Sequence, residues 1–77
     1  MLYEGFYYGK EQIRLSYNEY RILEILVDNK DRVTTYKYIE MKLHIPLHEI
    51  HVYIRRLREK LKDEFTIYTK NKVGFYL

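Results

Sequence analysis

The sequence predicts an α+β fold in which short strands at both ends of the chain flank three helices. Three observations lead to this prediction. Aromatic residues crowd the first eight positions, apolar residues recur at helical spacing through the middle, and two strand-like runs around a polar turn close the chain. The chain has 77 residues, and separate cores need roughly 50 residues or more each. We therefore expect residues 1–77 to form a single domain.

Composition excludes several classes of protein. Cysteine is absent, which removes disulfides, thiolate metal sites and a cysteine nucleophile. Charged residues make up 32% of the chain, and its longest aliphatic run, Ile25-Leu26-Val27, is far shorter than the ~20 residues of a spanning helix. No signal peptide is visible. These features predict a cytoplasmic protein without a membrane partner.

The first element is predicted to be a hairpin. Residues 2–8 are rich in the aromatic side chains that favour strands. Gly9-Lys10 is suited to a turn, and residues 12–15 alternate between polar and apolar side chains.

A capping box begins the first helix. The hydroxyl of Ser16 accepts from the amide of Glu19, whose carboxylate reaches back to the serine amide. We expect the helix to run from Tyr17 to Asp28 or Asn29, with apolar positions at Ile22, Leu23, Leu26 and Val27.

A second, short helix follows. Thr34 or Thr35 is suited to cap it, and Pro46 limits its length. Its apolar face carries Tyr36, Ile39 and Leu43.

The third helix has the clearest periodicity, with an apolar stripe of Ile50, Ile54, Leu57 and Leu61. Its opposite side centres on His48, Val52, Arg56 and Glu59, with Arg55 and Arg58 on one flank. Strands are then expected at residues 65–69 and 73–77, around the basic turn Lys70-Asn71-Lys72. This order of elements is typical of a winged helix-turn-helix domain.

Charge is distributed unevenly along the chain. Residues 1–31 carry a net charge of −2 and residues 32–77 a net charge of +5. This asymmetry favours a polyanionic partner that meets one face of the domain.

Three motifs, in the right order, resemble the effector domain of bacterial OmpR/PhoB-type response regulators of two-component systems. Residues 15–26 read LSYNEYRILEIL, residues 50–61 read IHVYIRRLREKL, and residues 67–77 read IYTKNKVGFYL. The family patterns are L-T-x-x-E-x-x-L-L-x-x-L, V-D-V-H-I-x-R-L-R-x-K-L and I-x-T-V-R-G-V-G-Y-x-L. The resemblance covers residues 13–77. A receiver domain usually precedes the effector domain in this family, and 77 residues leave no room for one, so we expect an excised effector domain or a stand-alone regulator.

Several positions depart from the family pattern. His51 replaces an acidic residue, Tyr53 a histidine and Phe75 a tyrosine. In the turn, Asn71 stands where the family has an arginine and Lys72 where it has a glycine. The stretch between the second and third helices is also shorter than usual. In the family this stretch forms the loop that contacts RNA polymerase.

The resemblance implies sequence-specific binding of double-stranded DNA for transcription regulation, with the third helix in the major groove and the hairpin on the backbone or in the minor groove. Arg56 is predicted to contact a base, and Val52 is small and apolar enough to pack on a thymine methyl. The other predicted contacts are mainly to phosphate: His48, His51, Arg55, Arg58, Lys62, Thr69, Lys70, Asn71 and Lys72. For each cation the alternative is a solvated surface charge.

Other functions receive less support. His44, His48 and His51 invite a metal site, but Pro46 separates His44 from the helix and no cysteine helps. No cofactor is expected, and no motif supports an enzyme. The alternative function is a winged-helix module for protein contacts without specific DNA binding. From the resemblance we also expect RNA polymerase as a partner and a tandem homodimer on direct repeats.

Overall fold

The computed structural model describes residues 6–8 and 13–77. Its helices are α1 (Tyr17–Asp28), α2 (Tyr36–Leu43) and α3 (Leu47–Lys60). Its strands are β1 (Phe6–Tyr8), β2 (Ile13–Leu15), β3 (Thr34–Thr35), β4 (Tyr68–Lys70) and β5 (Gly74–Tyr76). A two-stranded sheet joins β1 to β2, and a three-stranded antiparallel sheet has the order β3-β5-β4. The predicted α+β order of elements is confirmed, with N-terminal antiparallel strands, three helices and a C-terminal hairpin.

The N-terminal strands pair as predicted. Strands β1 and β2 are antiparallel, with Phe6 opposite Leu15 and Tyr8 opposite Ile13. The predicted Gly9-Lys10 turn lies outside the described residues. Leu15, which is 1% exposed, brings the end of β2 into the core.

The predicted capping box is present at the start of α1. The amide of Ser16 donates to Oε1 of Glu19 over 2.8 Å, and the amide of Glu19 donates to the serine hydroxyl over 3.3 Å. Ile22 and Leu26 are buried, as the periodicity predicts. Val27 does not join them in the core, since 44% of this residue is exposed.

Helix α2 begins beside the three-stranded sheet. Thr35, rather than Thr34, is its N-cap, and its hydroxyl accepts from the amide of Tyr38 over 3.2 Å. The helix ends at Leu43, and its C-cap His44, with a left-handed φ of 55°, turns the chain before Pro46. Helices α2 and α3 therefore follow one another closely, as a helix-turn-helix requires.

Helix α3 supplies the centre of the core. Its stripe of Ile50, Ile54, Leu57 and Leu61 is at most 1% exposed. These residues pack with Leu15, the apolar face of α1, Ile39, Ile67 and Phe75. The buried stripe fixes which side of α3 faces solvent, and that side carries the arginines.

An ion pair between an exposed lysine and a buried carboxylate ties α3 to the N-terminal part of the domain. Nζ of Lys60 lies 2.8 Å from Oε1 of Glu19, which is 1% exposed, and also donates to the carbonyl of Arg14 over 3.1 Å. Burial by itself raises the pKa of Glu19, but hydrogen bonds from Lys60 and Ser16 outweigh it and hold that pKa below its ordinary value of 4.5.

The C-terminal strands are shorter than predicted. Residues 65–67 do not form a strand, because the amides of Glu64 and Phe65 both donate back to the carbonyl of Leu61 and close a turn after α3. Strand β3 was not predicted. Its two threonines pair with Phe75 and Gly74 and join the region before α2 to the hairpin.

Gly74 permits this third strand. A Cβ at this position would lie 1.9 Å from the carbonyl oxygen of Thr34, well inside contact distance. The close approach of β3 and β5 therefore requires a residue without a side chain.

Candidate nucleic-acid interface

The solvent-facing side of α3 carries the arginines singled out from the sequence. Arg55 and Arg56 are exposed, and Val52, one helical turn before Arg56, is half-buried. The guanidinium of Arg56 lies 5.8 Å from the ring centroid of Tyr53. Tyr53 packs against the core and its hydroxyl accepts from the amide nitrogen of Asn18 over 3.0 Å. The hydrogen bond to Asn18 thus holds the Tyr53 ring in place, and one face of that ring packs against the guanidinium of Arg56.

The first turns of α3 place two histidines in solvent. His48 and His51 are exposed, and the N-cap Pro46 makes no side-chain hydrogen bond to the helix amides. The imidazole of His51 packs edge-on against two rings, with centroids 5.7 Å from Tyr36 and 5.8 Å from Phe75. These contacts limit the rotation of the His51 side chain while leaving it open to a ligand.

The tip of the hairpin forms a basic turn. Lys70, Asn71 and Lys72 are all exposed, and the amide of Val73 donates to the carbonyl of Lys70 over 2.9 Å. Lys72 has a φ of 62°, in the left-handed region that glycine tolerates better than lysine. The turn therefore keeps a positively charged side chain at a position where glycine, which would adopt this backbone conformation without strain, would carry no charge.

Arg58 connects α3 to the hairpin, which we call the wing (residues 68–76). Its Nε donates to the carbonyl of Ile67 over 2.9 Å and its Nη2 donates to the hydroxyl of Thr69 over 2.6 Å. The guanidinium also lies 5.9 Å from the ring centroid of Phe75. Helix and wing consequently form one continuous surface.

Ten of the eleven residues predicted to contact DNA are exposed, and Val52 is half-buried. Nine of the eleven belong to α3 or to the turn at the wing tip. Lys62 follows α3 and lines a cleft with Arg58 and Phe65. Arg58 and Thr69 differ from the rest because they are already hydrogen-bonded to each other.

The sequence interpretation missed Tyr36 as part of this surface. It assigned Tyr36 only to the apolar face of α2. The ring of Tyr36 also contacts the imidazole of His51, and its centroid lies 5.3 Å from that of Phe75. The backbone amide of Tyr36 donates to the carbonyl of Val73 in the wing over 3.1 Å. The predicted threonine cap puts Tyr36 at the start of α2. The sequence does not show, however, that the pairing of β3 with β5 brings the first residues of α2 next to the wing.

The histidines do not gather into a metal site. Within residues 6–8 and 13–77 no three histidine or acidic side chains are close enough to hold a metal ion. In the same part of the chain, no helix has the length and apolarity needed to cross a bilayer.

Comparison with known proteins decides the family. A family model described as "Transcriptional regulatory protein, C terminal" matches residues 9–77. The chain belongs to this family. A solved structure, the C-terminal domain of the nisin resistance regulator NsrR, a lantibiotic response regulator, matches with a TM-score of 0.82 and 25% sequence identity. The match covers 100% of this chain and 89% of that one.

The resemblance to OmpR/PhoB-type effector domains is thereby confirmed, together with a DNA-binding role in transcription regulation. The family is a DNA-binding one rather than an enzymatic one. The individual contacts to DNA stay predictions, and they rest on the geometry described above.

Proposed function

We propose that this domain recognises a specific sequence in double-stranded DNA, with α3 in the major groove and the wing on the backbone or in the minor groove. One observation carries the proposal. The apolar stripe of α3 is buried and its arginine-bearing side is exposed, and Arg58 joins that side to the basic wing. An exposed basic helix next to a basic hairpin matches the shape and charge of a duplex.

Specificity rests on the middle of α3. Arg56 is exposed and held beside the Tyr53 ring, so its guanidinium is suited to pair with O6 and N7 of guanine, which discriminates by about 1–3 kcal/mol. Val52, one turn earlier on the same side, packs on a thymine methyl.

Affinity rests on the surrounding charges. Phosphates are neutralised by Arg55, Lys62, Lys70 and Lys72, and the two histidines meet phosphate at the N-terminus of α3, where the uncapped amides and the helix dipole favour an anion. Asn71 replaces the wing arginine of the family, so the two flanking lysines supply the charge at the minor groove.

The setting follows from the family. The domain is proposed to act in the bacterial cytoplasm as part of a two-component system. It is also proposed to pair on direct repeats as a tandem homodimer and to contact RNA polymerase. One module buries little surface and binds a half-site weakly, so pairing raises both affinity and selectivity.

Selection from a random duplex library at near-physiological salt, followed by sequencing, tests the proposal. Enrichment of two similar half-sites about one helical turn apart supports specific binding and tandem pairing together. A single enriched site supports a monomer. Arg56→Ala should lose the preference at one base pair while remaining folded, whereas Lys42→Ala, an exposed cation at the end of α2, should keep it.

A protein-contact module is the second candidate, and one observation favours it. Val27, Phe65, Tyr68 and Leu77 line an apolar groove of about 500 Å³ between the end of α1 and the outer strand of the wing. A selected pool that stays random, from a domain shown to be folded, would move the function to this groove.

A further inference from the structure

Strand β4 of the wing has few attachments to the rest of the domain. Its three residues, Tyr68, Thr69 and Lys70, are all exposed, so none of them anchors the strand in the core. It pairs with β5 on one side only, since β4 lies at the edge of the sheet. Among the described residues, Arg58 is the helix residue whose side chain forms hydrogen bonds to β4 and to the residue before it.

The guanidinium of Arg58 meets both strands of the wing. It bonds the carbonyl of Ile67, immediately before β4, and the hydroxyl of Thr69 within β4, and it lies over the ring of Phe75 in β5. Thr69 and Phe75 are directly opposite each other in the ladder. A planar group with fixed donors that touches two paired residues sets the angle of the hairpin as well as its distance.

From this geometry we infer that Arg58 is a positioning residue, which acts through Thr69 to aim the wing at DNA, and that this role outweighs any direct contact of its own with phosphate. The inference rests on the proposed DNA-binding function and deepens it. Arg58 fixes where Lys70 and Lys72 lie relative to the helix in the major groove. A hairpin held at a fixed angle binds without first having to be ordered.

Three substitutions separate the two roles of Arg58. Arg58→Lys keeps the charge but loses the planar fork. Thr69→Val removes the acceptor without changing charge or size, and Thr69→Ser restores a hydroxyl. If Arg58 positions the wing, Arg58→Lys and Thr69→Val each weaken binding about fivefold to tenfold, which corresponds to the typical net contribution of one hydrogen bond. Thr69→Ser should retain most of the affinity.

A double-mutant cycle gives the sharpest result on DNA. The affinities of Arg58→Gln, Thr69→Val and the double variant are measured on the selected duplex over a series of salt concentrations. Positioning predicts that Thr69→Val adds little to the loss caused by Arg58→Gln, because the arginine substitution already removes the bond to Thr69. It also predicts that Thr69→Val leaves the salt slope unchanged. Additive losses, or full affinity in Arg58→Lys with a slope lowered by about one in Arg58→Gln, would show a separate phosphate contact and overturn the inference.

A measurement without DNA keeps this inference separate from the function it rests on. Residual dipolar couplings of residues 68–76 in the free protein report the orientation of the wing relative to α3. They should fit the same alignment as α3 in the unsubstituted protein and in Thr69→Ser, and depart from it in Arg58→Gln and Thr69→Val. Couplings unchanged in all variants would overturn the inference. A random selected pool from the unsubstituted protein would instead contradict the proposed function.

Discussion

Helix α3 is attached to the rest of the molecule at two joints that use the same kind of residue in opposite ways. At the inner joint, Lys60 pairs with the buried carboxylate of Glu19. At the wing joint, Arg58 donates to a carbonyl and a hydroxyl, the latter in an exposed strand. Both cations lie in the last turn of α3.

The difference lies in what becomes of the charge. At the inner joint the carboxylate neutralises the ammonium, so the pair holds the fold and contributes little to the external field. At the wing joint both acceptors are neutral, so the charge of Arg58 remains to attract a polyanion while its donors hold the wing. A cation with neutral partners can therefore serve structure and long-range attraction together.

The largest expected effect comes from breaking the sheet behind the wing joint. Gly74→Ala should lower the free energy of unfolding by about 3 kcal/mol or more, because the new Cβ would collide with the Thr34 carbonyl and force β3 away from β5. Urea unfolding followed by circular dichroism measures the change. Val73→Ala at the exposed neighbouring position is the matched control and should stay within about 0.5 kcal/mol. Equal stability of both variants would contradict the close approach of the two strands.

The next largest effect tests the inner joint. Glu19→Gln should destabilise the domain by about 2 kcal/mol, since Lys60 loses its carboxylate but is exposed enough to be partly rehydrated. Glu24→Gln is the matched control on the same helix. It breaks the pair with Arg21, whose two side chains are 34% and 39% exposed, and should cost at most about 0.5 kcal/mol. If the two substitutions cost the same, burial does not strengthen the inner joint.

Acid should weaken the inner joint selectively. The pKa of Glu19 is lower in the folded protein than its ordinary value of 4.5, so the unfolded chain takes up this proton at a higher pH than the folded one. The stabilisation is complete above pH 4.5 and is lost as the pH falls through the lower, folded pKa. The stability difference between the unsubstituted protein and Glu19→Gln, measured in urea at a series of pH values, should therefore shrink in acid. If the stability difference between the two proteins stays constant as the pH falls below 4.5, the pKa of Glu19 is not lowered in the folded protein.

The smallest effect has opposite signs on stability and on binding. Lys72→Gly should stabilise the wing by about 0.5 kcal/mol, because the relief of left-handed backbone strain exceeds the added freedom of glycine in the unfolded chain. The same change removes a cation and should lower the salt slope of DNA binding by about one. Lys72→Ala is the control, which loses the charge without relieving the backbone. An unchanged slope in both variants would remove Lys72 from the interface.

Local signals explain which parts of the fold were predictable. The two residues of the capping box, Ser16 and Glu19, are three positions apart, and successive residues of the α3 stripe are three or four positions apart, so the sequence displays both patterns directly. Strand β3 escaped prediction because two threonines carry no periodicity, and they become a strand only by pairing with Phe75 and Gly74. Val27 escaped for a related reason, since periodicity marks the edge of a stripe without showing whether another element covers it.

The candidate site divides in the same way. Arg55, Arg56 and the turn lysines could be identified from spacing and from the family resemblance, and the structure exposes all of them. The partners of Arg58 and Lys60 could not, because they depend on contacts across 11 and 41 positions of the chain. Sequence thus identified the charges, whereas the fold determines which of them are already engaged.

Strand β3 also has a consequence for the order of events during synthesis. Thr34 precedes α2, yet its partner Phe75 is made after all three helices. A nascent chain can form the helices early, but it cannot complete the sheet that joins α2 to the wing until β5 has been translated, and this late, non-local pairing closes a long loop. Competence to bind DNA through both helix and wing is therefore delayed until translation has passed β5.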